Sequence, residues 1–298
     1  AVRSLEALHQ YHDFRSSRHS DRLPAKDEWR NPSTMRMGNN RSDNKGKGFL
    51  HSPLRGVSRN DKVKKEKASD IIKTAFSNRV KTIIDGKESS FDIFEAYGID
   101  TVKRVFDVSL SELNKKAEKI GYPVVLKTAA RDVLHKTDIG GVITGIKNHA
   151  ELQKSYFSIR DSVRKAEFQE NSDKVDIYKQ ENSGIEIFLG AKKDPNFGPL
   201  IVFGIGGIYV EVLKDFAYRI APVSHTEALK MISEIKSYKL LKGFRGEPKC
   251  DLDKVADSIV GLSQLMLDFP EIKEIDINPL KVTDKKCVAV DGKIILDL

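Results

Sequence analysis

The chain has 298 residues, enough for one large or two ordinary domains with a real core. Its 39% apolar content and mean hydropathy of −0.41 are those of soluble proteins, and no apolar run approaches the roughly 20 residues that span a bilayer, so no membrane association is expected. Two cysteines, Cys250 and Cys287, exclude a disulfide framework and suit a reducing, cytoplasmic setting.

The net charge of +8 brings nucleic acid to mind, but its location argues against it. Residues 1–70 carry +7 of it, and the remaining chain is almost neutral. A basic leader of this kind reads as solvated linker, with nucleic-acid binding not expected. No signal peptide is seen, and Ala1 in place of Met suits a chain processed or cut from something longer.

In chain order, "RSLEALHQYHDFR" forms a short amphipathic helix through Leu5, Leu8 and Tyr11. Residues 31–60 are rich in Gly, Asn, Ser, Arg and Lys and read as a flexible linker. A compact domain follows. "ASDIIKTAFSNRVKTII" places Ile71, Ile72, Ala75, Phe76, Val80 and Ile83 on one helical face. Ser109 and Glu112 make a capping-box pair for a helix that Gly121 ends. Val124–Leu126 and Val142–Ile146 read as a hairpin, followed by a helix over about 150–168. Strands follow at 175–180, 185–193, 199–207 and 216–223. Ser224 and Glu227 cap a helix through about Lys236, and another runs near 252–269. Strands at 274–282 and 287–296 close the chain. The pattern predicts an α+β fold with antiparallel strands, without a dinucleotide fingerprint or Walker A sequence.

Four groups of residues carry candidate chemistry. Glu274, Asp276 and Asn278 alternate along one strand and share a face, with Asp291 in the next strand. These oxygens suit a hard cation such as Mg²⁺, or form the solvated side of an edge hairpin. Gly204, Gly206 and Gly207 follow an apolar strand, where a backbone can approach a ligand or make a bulge; Glu211, Lys214, Asp215 and Arg219 come soon after. Arg219 can aim a planar guanidinium at phosphate from a rigid strand. Lys127 ends a Val/Leu strand, as a phosphate-binding lysine or a snorkelling one. His135 lies among Lys136, Asp138, Gly140 and Gly141 in the hairpin connection, where a histidine beside phosphate-binding groups can act as a nucleophile.

Taken together, "GYPVVLKTAARDVLHKTDIGGVITGI", "GIEIFLGAKKDPNFGPLIVFGIGGIYVEVLKDFAYRIAP" and "EIDINPL…VAVDGKI" resemble the ATP-grasp part of NDP-forming acyl-CoA synthetases, relatives of succinyl-CoA synthetase. The resemblance implies two lobes clasping Mg-nucleotide, the first over about 90–172 and the second over about 173–298 of a domain spanning 63–298. Residues 1–30 would be the tail of a preceding CoA-ligase region or a helical leader, and 31–62 the linker. The implied reaction is acid + CoA + ATP ⇌ acyl-CoA + ADP + phosphate, with ATP/ADP and Mg²⁺ bound here. CoA would be held by a partner part, either a separate subunit or a missing N-terminal region of a hetero- or homo-oligomer. On matching positions, Lys127 would contact nucleotide phosphates, with Gly140 and Gly141 in the loop that closes over them. Gln180 would lie in the adenine hinge, with Glu186 near the ribose or adenine and Glu211 among the nucleotide-binding residues. Asn278 and Asp291 would hold Mg²⁺. Arg219 would neutralise the transferred phosphoryl group, which His135 would carry as phosphohistidine. Many relatives have methionine where Gln180 stands. The same module also occurs fused to lysine acetyltransferases, where it implies a regulatory role without ligase activity.

Overall fold

The computed structural model describes residues 59–84, 89–130, 136–166, 173–206, 215–243 and 248–298. The expected leader and the linker through residue 58 lie outside them. In chain order the elements are α1 (Arg59–Ser77), β1 (Thr82–Ile83), α2 (Ser90–Ala96), β2 (Arg104–Val108), α3 (Leu113–Ile120), β3 (Val124–Thr128) and β4 (Val142–Ile146). They continue with α4 (His149–Lys165), β5 (Val175–Lys179), β6 (Ile185–Asp194), β7 (Gly198–Ile205), β8 (Phe216–Ile220) and α5 (His225–Glu234). Last come α6 (Tyr238–Leu241), α7 (Leu252–Asp268), β9 (Ile272–Val282), β10 (Cys287–Ala289) and β11 (Gly292–Leu296).

The strands form two antiparallel sheets, which is the expected α+β class. The smaller has four strands in the order β2-β5-β3-β4. Val124 and Leu126 alternate inward and pack with Leu113 of α3 and Leu152 and Ile159 of α4 in one apolar core. The larger has seven strands in the order β1-β11-β9-β6-β7-β8, with β10 also on β9. Ile187, Leu189, Ile201, Phe203, Ile275 and Ile277 turn to one face, where Val255, Ile259 and Leu262 of α7 complete a second core. Each such fully buried aliphatic side chain contributes roughly 1.5–3 kcal/mol. Helix α7 comes so close to α2 that a Cβ on Gly261 would sit 2.1 Å from the Tyr97 carbonyl oxygen.

Several local expectations shift. Helix α1 begins at Arg59, inside the expected linker, and ends at Ser77. Its first half is too charged for apolar periodicity to show, but it is held by Lys67 to Asp92 at 3.4 Å and Lys65 to Asp268 at 3.7 Å. Phe76 and Val80 are exposed, contrary to the single buried face expected, because Thr82–Ile83 leaves the helix to pair with β11. Ser109 donates to Glu112 without capping α3, which starts at Leu113. A capping box does form at Ser89 and Asp92. Ser224 accepts from the Glu227 amide as expected.

Strand β5 pairs with β2 and β3, so it belongs to the smaller sheet although the expected boundary at 172/173 puts it with the second lobe. The crossing from one sheet to the other comes after Lys179. The final strand is interrupted: Val290 donates to Pro279 O and Asp291 O accepts from the Asn278 amide, which sets Asp291 between β10 and β11.

Candidate functional site

The two sheets meet at Lys127 and Asp291. Lys127 projects from β3, its side chain 12% exposed, and its Nζ lies 3.7 Å from Asp291 Oδ1 and 4.6 Å from the Tyr178 ring centre. The phosphate lysine and one metal carboxylate expected from the sequence are therefore brought together. Asn278 joins them through its backbone, donating to Asp291 O at 3.3 Å.

Register tells which side chains share this face. Directly opposed residues of an antiparallel pair project the same way, and neighbours along a strand project oppositely. Ile275 and Ile277 enter the helix-covered core, so Asp276 and Asn278 turn to the other face. Lys293 stands across from Asp276, and Glu186 across from Lys281. Lys293 Nζ is 3.7 Å from Asp276 Oδ2, and Lys281 Nζ is 3.2 Å from Glu186 Oε1. Glu186 thus lies on the cleft face, already engaged by a lysine.

Asp276 is the unusual member. It is 2% exposed, and neither carboxylate oxygen has a hydrogen-bond partner among the described residues. Burial pushes its carboxyl up to about 6, with Glu274 and Asp291 adding to the rise and Lys293 opposing it. A buried carboxylate that accepts no hydrogen bond is costly, even with a lysine 3.7 Å away. The oxygens of Asp276, Asn278 and Asp291 are the donors a hard divalent cation requires, and a positive group, Lys127, already faces Asp291. By the chemistry of their oxygens these residues suit Mg²⁺, although no cluster of three carboxylate, histidine or cysteine ligands forms among the described residues.

Arg219 does not join them. Its cross-strand partner is Ile201, fully buried beneath the helices, so Arg219 projects to the helix-covered face. There its guanidinium donates to both carboxylate oxygens of Glu234 on α5, at 3.0 and 2.5 Å, and lies 3.5 Å from Glu227. The hydrogen bond from Arg219 holds the Glu234 carboxyl below its ordinary range. Tyr218, its neighbour, takes the cleft side. The residue expected on the phosphoryl group is instead a strand-to-helix tie.

Gln180, expected in a hinge that works largely through backbone groups, has its side chain engaged elsewhere. Its side-chain oxygen accepts from Gly145 N at 2.6 Å, its Nε2 donates to Asn182 at 2.7 Å, and its amide donates to Pro123 O. The carboxamide is turned into the smaller sheet, fixing the start of the crossover. Gly140, at φ 71°, and Gly141 fold the turn after His135: a Cβ on Gly141 would meet Lys136 O at 2.8 Å and the Thr128 methyl at 2.9 Å. Gly204 and Gly206 serve close backbone approach within the sheet, to Asp215 and Glu186 respectively. His135 and Glu211 lie outside the described residues.

A lysine and a set of oxygen donors facing one another from two antiparallel sheets define an ATP-grasp site, and the ATP-grasp domain family matches residues 76–296. The acetate–CoA ligase [ADP-forming] I of Archaeoglobus fulgidus is 40% identical over 234 residues, covering 78% of this chain and 34% of that one. The beta subunit of acetate–CoA ligase [ADP-forming] I of Pyrococcus furiosus is 40% identical over 231 residues, covering 77% of this chain and 98% of that one. This chain thus spans about a third of the first relative and nearly all of the second. Among solved structures, the dinucleotide-forming acetyl-coenzyme A synthetase 1 of Ca. Korarchaeum cryptofilum superposes with a TM-score of 0.71 at 32% identity, covering 77% of this chain and 100% of that one. A second structure of that enzyme, with coenzyme A and Mg-AMPPCP, has its phosphohistidine segment pointing towards the nucleotide site (TM-score 0.67, 32% identity, the same coverage). The chain belongs to the ATP-grasp family, in the branch formed by the ADP-forming acid–CoA ligases and their beta subunits.

Proposed function

We propose that this chain is the nucleotide half of an ADP-forming acid–CoA ligase, working with a CoA-binding partner part on a carboxylic acid substrate in the cytoplasm. The observation that carries this reading is the meeting of Lys127 and Asp291 across the two sheets at 3.7 Å, with Asp276, whose oxygens accept no hydrogen bond among the described residues, on the same face. Among the described residues no helix is long and apolar enough to cross a membrane. The relatives named for acetate–CoA ligation and the coenzyme A and Mg-AMPPCP held by the Korarchaeum enzyme support the same assignment.

On this reading Asn278 and Asp291 hold Mg²⁺, which draws charge from the terminal phosphates of ATP. Lys127 binds and orients those phosphates from the smaller sheet. Glu186 stands at the ribose end, and the Gln180 backbone forms the adenine hinge. His135 attacks the γ-phosphorus: the bond to the bridging oxygen breaks, ADP leaves with its electron pair, and an imidazole nitrogen forms the new N–P bond. Little covalent chemistry is asked of the protein, and the acceleration comes from positioning and charge. The partner part then receives the phosphoryl group and completes acid + CoA + ATP ⇌ acyl-CoA + ADP + phosphate.

The test uses the full chain with γ-labelled ATP and Mg²⁺. Acid-labile, base-stable label is expected on the protein and is lost in His135→Ala, while that variant still binds Mg-ADP by calorimetry. Undiminished labelling of His135→Ala removes His135 from the reaction.

A further inference from the structure

Because Arg219 is committed to α5 on the far face of its strand, the role expected of it beside Lys127 is open to another cation of the cleft. We infer that Lys293 is that cation: it binds the terminal phosphoryl oxygens of the nucleotide from the wall of the larger sheet. The inference rests on the nucleotide reading above and adds a residue to it.

Three features point to Lys293. It is held on β11 directly across from Asp276 and two positions after Asp291, so parity along the strand aims it at the same face as both. Its side chain is 20% exposed, neither sealed in the core nor free in solvent. Its only ion pair among the described residues, to Asp276, spans 3.7 Å, too long for a hydrogen bond. The lysine and the buried carboxylate therefore face each other without closing, and both oxygens of Asp276 stay unpartnered.

Position selects the phosphate. On the nucleotide reading Asn278 and Asp291 would hold the metal and so would keep the terminal phosphate's charge on this face. Lys281 is further along β9 and is occupied by Glu186, which puts it at the ribose end. Lys127 approaches from the other sheet. Lys192 also projects to this face but stands across from Glu274, two positions before Asp276 on β9 and further from Asn278 and Asp291. Lys293, directly opposite Asp276, is placed to reach the terminal group from that side, where charge-assisted hydrogen bonds are strong.

The test compares Mg-ADP with Mg-AMPPCP, which differ by the terminal phosphoryl group, in calorimetric titrations of the full chain. Lys293→Met is expected to weaken Mg-AMPPCP by about tenfold or more while changing Mg-ADP by less than about threefold. Lys293→Arg is expected to restore most of the difference. Equal losses for the two nucleotides, or none, overturn the inference and leave Lys293 as a structural partner of Asp276. Should the unmodified chain bind neither nucleotide, the nucleotide reading fails and takes this inference with it. Thermal unfolding of each variant separates a lost contact from a lost fold: if Lys293→Met does not fold, Lys293→Gln provides the same comparison.

Discussion

Replacing Asp291 with Asn is expected to do two opposite things to nucleotide binding. With Mg²⁺ it removes a cation ligand and weakens ADP. Without metal it removes the carboxylate that faces Lys127, leaving the ammonium better able to serve the phosphates. The size of the second effect follows from the geometry. Two unit charges 3.7 Å apart attract by about 1 kcal/mol in water and about 4.5 kcal/mol at an effective dielectric of about 20. Asp291 is 56% exposed, which moves the pair toward the lower figure. About 1 kcal/mol corresponds to roughly fivefold in affinity. Calorimetry with ADP in EDTA should therefore show Asp291→Asn binding about fivefold more tightly than the unmodified chain. Losing a carboxylate near phosphates also lowers repulsion, so the comparison is repeated in a Lys127→Met background, where the gain should shrink. An Asn variant whose metal-free affinity is unchanged or weaker refutes the argument.

Asp276→Asn provides a pH test. The native carboxyl keeps its proton to about pH 6, whereas the unfolded chain releases it near the ordinary value of 3.8. Between those values the native state binds more protons, so stability falls as pH rises, by up to about 3 kcal/mol. The Asn variant lacks this slope: in urea titrations it should match the unmodified chain near pH 4 and exceed it near pH 7, and an equal gap at both pH values would sink the assignment. Arg219→Met should lower stability by about 1 kcal/mol through loss of the α5 tie while leaving Mg-ADP affinity within about twofold. A large loss of affinity at unchanged stability would return Arg219 to the cleft.

The sites in this chain divide by how local their causes are. Alternation along "EIDINP" and "VDGKI" was enough to place Asp276, Asn278 and Asp291 on matching faces, because strand parity is a two-residue property. The same parity, carried two residues beyond Asp291, would have found Lys293. Lys127 at the end of a Val/Leu strand was likewise legible, since its neighbours pack inward and leave its stem along the sheet rim.

What the sequence could not supply was which face of each sheet is open. Arg219 alternates with Tyr218, and nothing local says which of the two meets the helices. That is decided by α5 and α7, which cover the face of Ile201 and bring Glu234 to the guanidinium. Nor could composition assign β5 to the smaller sheet or recognise the charged half of α1 as helix, because pairing with β2 and β3 and ion pairs to distant residues settle those. Local chemistry chose the residues. Long-range packing chose which of them meet, because a strand's two faces are equivalent until something covers one.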